Sequence, residues 1–277
     1  MIDYETHPSP FKIFFGSNIN FLPHMHQEIE IIYMKKGSLL VTIQHTTYTI
    51  NGSDLALIMP HTLHSYKTPE SSEFIILIFK QDFIPYYQSV MTQLCSTPII
   101  RNDALHPDIN TYFDQLLLDE TKSEVGLIKG YLYLLFTRIL PHLHFTKVHH
   151  SEHQDLIYKC LHYIHLHFKE PLSLDTMAQH LGVSPYSISR VFNKSIGYSF
   201  SYYINTLSID YAKYLLRETN LSITEISFEC GYETIRHFNR MFKDLTSVSP
   251  HSYKLQLATT PLLNASNKKS STCFISP

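Results

Sequence analysis

SLDTMAQHLGVSPYSISRVFNK, residues Ser173 to Lys194, decides how the chain is read. Ser173 is a natural N-cap, and Asp175 puts a negative charge in the first turn, where the helix dipole favours it. Met177, Leu181, Val183, Ile188 and Val191 supply apolar inner faces for two short helices. Ala178 is small enough for the point where the two touch, and Gly182 gives the tight turn its freedom in φ. These constraints leave Tyr186, Ser189, Arg190, Asn193 and Lys194 facing outward. In a helix laid in the major groove, outward residues reach base edges and phosphates. The pattern is that of a helix-turn-helix.

It recurs about fifty residues later, where Ile223, Ile226, Ser227, Cys230, Gly231, Phe238 and Met241 repeat the apolar and small positions. Arg240-Met-Phe-Lys243 echoes Arg190-Val-Phe-Asn-Lys194, and Arg236 and His237 join the outward set. Gly182 to Arg190 is eight residues and Gly231 to Arg240 nine, so the second turn is one residue longer. The competing reading is a plain helical bundle with solvated arginines, but one match is often accidental and a duplication is much less so. Upstream, Leu156, Cys160, Ile164 and Phe168 form an i, i+4 stripe that Pro171 ends.

Residues from about 155 to 255 resemble the DNA-binding domain of the AraC/XylS family of bacterial transcription regulators. The carrying residues are Ser173 to Ser184, Arg190-Val-Phe-Asn-Lys194, Ala212-Lys-Tyr-Leu-Leu216, Ile226 through Tyr232, and Phe238 through Phe242 with Pro250. The resemblance implies a domain of seven helices, with two helix-turn-helix units joined by a rigid helix over Ser199 to Arg217. It implies recognition helices in successive major grooves of promoter DNA. Of the outward residues, Arg190 and Arg240 are expected at bases and Lys194 and Lys243 at phosphates. Control by a small-molecule effector, activation through RNA polymerase and a homodimer are further implications. Ser227 and Ser208 stand where the family usually has Ala and Arg, which puts helix packing in the second unit and one backbone contact in doubt.

At 277 residues and 44% hydrophobic, the chain is long enough for two domains. A net charge of −2 speaks against a protein that coats nucleic acid indiscriminately. The charge is locally segregated, however: 184–197 and 234–243 hold Arg190, Lys194, Arg236, Arg240 and Lys243 and no acid. Two short basic helices on a neutral domain suit site-specific binding.

The N-terminal half reads differently. Phe11–Phe15, Ile29–Tyr33, Leu39–Ile43, Tyr48–Ile50, Leu55–Met59 and Phe74–Phe79 are short β-branched or aromatic runs. Lys36-Gly37-Ser38 and Asn51-Gly52 read as turns between them, the latter as a type I′ hairpin. The expected fold is α+β in two domains: an N-terminal antiparallel cupin-like β-barrel with a helical dimerisation segment, and a C-terminal all-α domain with two helix-turn-helix units. Residues 1–146 form the sensing and dimerisation domain, 153–257 bind DNA, and 258–277 are a disordered tail. The linker falls in Phe145 to Gln154, and the nearly all-apolar Leu127 to Leu140 is a buried helix stopped by Pro141.

His24-Met-His26-Gln-Glu-Ile-Glu30, followed by Gly37, resembles the first metal-binding motif of cupin barrels, and His64 stands where the second motif supplies another histidine. On one strand face such residues could hold a divalent metal. Yet the sensory domains of AraC-type regulators often resemble cupins without a bound metal, and Pro60-His-Thr62 lacks the Pro-x-Gly element. The expected role of His24, His26, Glu30 and His64 is therefore to line an effector pocket, possible sugars included, with no metal, cofactor or catalytic residue. A metal-dependent cupin enzyme fused to a DNA-binding domain is the alternative. Four scattered cysteines, no recognisable targeting segment and no apolar stretch long enough for a bilayer place the expected protein in the cytoplasm.

Overall fold

In the computed structural model, which describes residues 10–120, 124–146 and 152–259, nine strands come before the first long helix. They are β1 (Phe11–Ser17), β2 (Asn20–His24), β3 (Ile29–Ile43), β4 (Thr46–Asn51), β5 (Leu55–Ile58), β6 (His64–Lys67), β7 (Ser72–Phe79), β8 (Leu94–Cys95) and β9 (Ile99–Ile100). Pairing is antiparallel throughout. The first half of β3 lies between β5 and β7, with Ile31 opposite both Leu57 and Leu77. Its second half lies between β4 and β6, with Val41 opposite Tyr48 and Tyr66.

Shared membership explains why β3 and β7 do not alternate. Ile29, Ile31, Tyr33, Ile75, Leu77 and Phe79 face a core completed by helices, while Ile32, Met34, Phe74, Ile76 and Ile78 face a second core with Leu39, Val41, Ile50 and Tyr66. A strand buried on both faces reads as a continuous apolar run. The helices are α1 (Gln88–Met91), α2 (Asp108–Glu120) and α3 (Val125–Ile139), and the short β10 (Phe145–Thr146) pairs with β8. On α3, Ile128, Leu132, Leu135, Phe136 and Ile139 are buried while Val125, Leu127 and Leu134 remain exposed.

Two expected turns differ. Lys36-Gly37-Ser38 lies inside the continuous β3, where the register against β7 shifts between Met34 and Lys36. Gly37 has φ +71°, and a Cβ there would meet the Ser71 carbonyl oxygen, so the glycine serves a bulge and not a chain reversal. Asn51-Gly52 connects β4 to β5, which do not pair with each other, and the positive φ falls on Ser53. It is no type I′ hairpin.

The C-terminal unit, which segregates from the N-terminal one, contains α4 (Glu152–His167), α5 (Leu174–Leu181), α6 (Pro185–Arg190), α7 (Phe200–Glu218), α8 (Ile223–Glu229), α9 (Ile235–Thr246) and α10 (Pro250–Thr259). These are the seven helices that the family resemblance implies. The expected linker is shorter at both ends, since Phe145–Thr146 is β10 and α4 begins at Glu152. Helix α10 runs to Thr259, and the rest of the expected tail, 260–277, lies outside the described residues.

Candidate functional site

Each helix-turn-helix is held by its own caps. Ser173 accepts from the Thr176 N–H in a capping box that opens α5, and Gly182 closes it with φ +65°. Ser184 and Pro185 start α6, while Ser222 with Glu225 forms the capping box of α8 and Thr234 caps α9. Gly231 is fixed twice over. Its φ is +78°, and a Cβ would lie 3.0 Å from the Lys169 carbonyl carbon, where the second turn crosses the end of α4. Helix α6 starts three residues after its turn glycine and α9 four after its own, which accounts for the longer second spacing.

Buried Met177, Ala178, Ile188 and Val191 hold the first unit, and Ile226, Ser227, Cys230 and Phe238 hold the second. Leu181, Val183, Ile223 and Met241 are half-buried at the margins. The outward residues then form matching stripes: Tyr186, Arg190, Asn193 and Lys194 on the first reading helix, and Arg236, Arg240 and Lys243 on the second. Tyr186 is 75% exposed. Arg190, Lys194, Arg236, Arg240 and Lys243 are all exposed, and none forms an ion pair among the described residues. Ser189 is half-buried and accepts from Asn193 Nδ2 at 3.1 Å. His237 is exposed with its ring against Tyr232. Beyond Arg190 the helix widens into a π-helical turn over Val191–Ile196, with the Gly197 N–H donating to the Phe192 carbonyl at 2.8 Å.

The two departures from the family pattern are accommodated. Ser227 is fully buried, but its hydroxyl donates to the Thr224 carbonyl at 2.8 Å, so the polar atom is satisfied inside α8. Ser208 is buried and lines a cleft of about 530 Å³ with Asn205, Tyr232, His237 and Arg240. Sequence reasoning missed the Tyr232 hydroxyl, which donates to Asn205 Oδ1 at 2.8 Å and ties the second turn to α7.

In the N-terminal unit, His24, His26, Glu30 and His64 converge, each 5% exposed or less. They do not share one strand face as the sequence suggested. His24 ends β2, His26 sits in the following loop, Glu30 is on β3 and His64 opens β6. Glu30 Oε2 lies 2.9 Å from His26 Nε2 and 3.3 Å from His64 Nε2, while Oε1 accepts from the Tyr66 hydroxyl at 2.9 Å. Each ring places Nδ1 on a backbone carbonyl: His24 on Leu22, His26 on Glu28 and His64 on Thr62. One potential ligand atom from each of the four residues lies within 4.8 Å of all the others.

Burial, with the charge on His64, holds His24 well below its usual pKa, and burial likewise lowers His64. For His26 burial acts the same way, but the adjoining Glu30 carboxylate prevails and raises it. Glu30 is held well below the carboxylate range because hydrogen bonds from His26 and His64 overcome its burial. Tyr66 and the buried Glu28, whose carboxylate stands 3.8 Å from His26 Nδ1, were not anticipated. Alternation from His64 along β6 was the available signal for Tyr66.

The family described as the AraC-like ligand binding domain matches residues 13–136, and a helix-turn-helix domain family matches 177–256. An HTH-type transcriptional regulator of Escherichia coli, YdiP, is 27% identical over 84% of this chain and 80% of its own length. A Staphylococcus aureus HTH-type regulator is 32% identical over 43% of this chain, which spans only 17% of that relative. Among solved structures, apo ToxT of Vibrio cholerae has the same fold at TM-score 0.55 and 16% identity, over 90% of this chain and 98% of that one. Wild-type ToxT with an unsaturated fatty acid bound superposes with a TM-score of 0.52 at 16% identity, covering 92% and 97%.

Proposed function

The chain belongs to the AraC family of transcription regulators, with a ligand-binding unit and a DNA-binding helix-turn-helix unit, and on that premise we propose how it works. It is an activator that acts as a cytoplasmic homodimer, contacts RNA polymerase and takes its signal from a small polar effector, a sugar or related metabolite, without catalysing a reaction on it. Residues 1–146 sense and dimerise, and 153–257 grip DNA. Arg190 and Arg240 read bases; Tyr186, Ser189, Asn193, Arg236 and His237 complete the two surfaces; Lys194 and Lys243 meet phosphates. The observation that carries this reading is the repeated set of unpaired cations, Arg190 on α6 with Lys194 in the π-helical turn after it and Arg236, Arg240 and Lys243 on α9, which a merely solvated bundle has no reason to repeat. In the sensory unit, His24, His26, Glu30 and His64 are the polar centre through which the effector acts. The ToxT fatty-acid complex supports small-molecule control on this fold, and the buried imidazoles here favour a polar ligand over a hydrocarbon chain.

Footprinting of the purified chain on the promoters flanking its own gene tests the proposal, in parallel with thermal-shift screening of metabolites. Protection of a discrete site at salt that abolishes binding to random DNA is the expected result. A folded protein with no preference for any promoter over random sequence would remove the assigned reading surface.

A further inference from the structure

We propose that His24, His26, Glu30 and His64 form a closed site for a divalent transition metal, of which zinc matches the donor set best. The inference rests on the reading of this quartet as the polar centre of the sensory unit, and deepens it.

The first argument is distance. A four-coordinate site with bonds of about 2.1 Å needs neighbouring donors roughly 3.4 Å apart. His26 and His64 Nε2 stand 2.9 and 3.3 Å from Glu30 Oε2, and the four donors span no more than 4.8 Å. The second is hydrogen-bond inventory. A neutral imidazole has one N–H, and each of these rings directs Nδ1 at a backbone carbonyl, which can only accept. A neutral His64 has one hydrogen for two acceptors, and in the tautomer that gives it to Thr62 the Nε2 lone pair is aimed at a Glu30 carboxylate oxygen. Lone pair against anion is unfavourable, and a cation between them turns both into ligands. Carbonyls on Nδ1 are also the outer contacts that fix metal-binding histidines, and the Tyr66 hydroxyl on Glu30 Oε1 does the same for the carboxylate.

The third argument is charge. Glu28 and Glu30 place two buried carboxylates at one cluster. A dication neutralises both, with the three rings left neutral.

Three imidazole nitrogens and one carboxylate oxygen suit a borderline dication and not calcium or magnesium. Because all four residues are buried, the protein itself supplies the coordination, which is the mark of a structural or sensing site and not of a catalytic one. Its ligands come from β2, the loop after it, β3 and β6, so occupancy would clip residues 20–28 onto the rest of the unit.

The test uses the full chain. Protein purified without chelator is analysed for metal, stripped with dipicolinate and reloaded with Zn²⁺ or Co²⁺. Expected are close to one metal per chain, a higher Tm on reloading and the strong visible absorption of four-coordinate cobalt. Glu30→Gln and His64→Ala should weaken binding at least tenfold. Tyr66→Phe, which keeps every ligand and the core shape, should weaken it by roughly 10-fold or more, and exposed His45→Ala should not change it. Failure to bind zinc or cobalt, or binding that His64→Ala and Tyr66→Phe leave untouched, overturns the site. Promoter binding by the same samples separates this from the wider reading. If no metal binds yet His64→Ala alters promoter binding, the metal is refuted and the quartet's control role survives. If metal binds but neither its removal nor His64→Ala alters promoter binding, the site stands and the control role falls.

Discussion

Arg190 and Arg240 hold equivalent places on their helices, exposed, unpaired and flanked by a lysine three or four residues on. Each forked guanidinium can bond two acceptors of one guanine. Arg190→Ala and Arg240→Ala should each weaken promoter binding by about 1–3 kcal/mol and relax preference at one base position. Lys194→Ala should weaken binding to all sequences alike and lower the salt slope by about one. Anisotropy titrations against a panel of single-base variants distinguish these outcomes, and uniform loss for both arginine variants would make them positioning contacts only. Such residues were legible because a helix-turn-helix leaves few positions to face outward. Tyr66 and Glu28 were not legible, because their importance depends on where the β2 and β6 strands bring His24 and His64.

Helix ends were the easiest elements to read, since Ser173, Gly182 and Gly231 have a physical reason for being where they are, and the structure adds Ser222 to them. The Ser222 hydroxyl accepts from the Glu225 N–H at 3.2 Å, and Glu225 in turn accepts from the Ser222 N–H at 2.7 Å. Ser222→Ala should therefore cost about 1 kcal/mol of stability, seen as a lower urea midpoint with an unchanged slope. Hydrogen bonds from the Ser222 backbone N–H and hydroxyl to the carboxylate lower the Glu225 pKa. The folded value lies below the unfolded one, so this stabilisation is present above the ordinary carboxylate range and is lost as pH falls through the lowered value. Glu225→Gln should remove that part of the acid dependence; an unaltered acid profile would show that the capping contact contributes nothing to it. Strands were harder. β3 and β7 announce themselves through two-sided burial, whereas β2 and β6 turn His24, His64 and Tyr66 inward, so no apolar alternation marks them. Gly37 read as a turn because a bulge and a chain reversal ask for the same positive φ.

The division into two units was visible in the change of period from short β-branched runs to helical stripes, and it yields a first prediction about the whole molecule. Residues 150–277 alone should keep the promoter preference, because α4 to α10 form their own core. A fragment that is folded by circular dichroism but indifferent to sequence would place part of the reading surface elsewhere.

The final prediction concerns the second copy. On α3 the buried stripe leaves Val125, Leu127 and Leu134 about half exposed, with Leu127 and Leu134 one heptad apart on the same side. Leaving such residues in water is unfavourable, and a self-complementary pairing of this face would cover them in both chains at once. Pairing also raises the effective concentration of the second DNA-binding unit at adjacent half-sites, so a dimer binds far more tightly than the fragment without any new contact to DNA. Leu127→Glu with Leu134→Glu places like charges across that pairing without touching the buried side of the helix. Light scattering should then report a monomer at concentrations where the parent chain is a dimer. Promoter affinity should fall to that of the 150–277 fragment, with base preference unchanged. A double variant that stays dimeric, or a monomer that binds as tightly as the parent, would show that this face of α3 does not join the subunits.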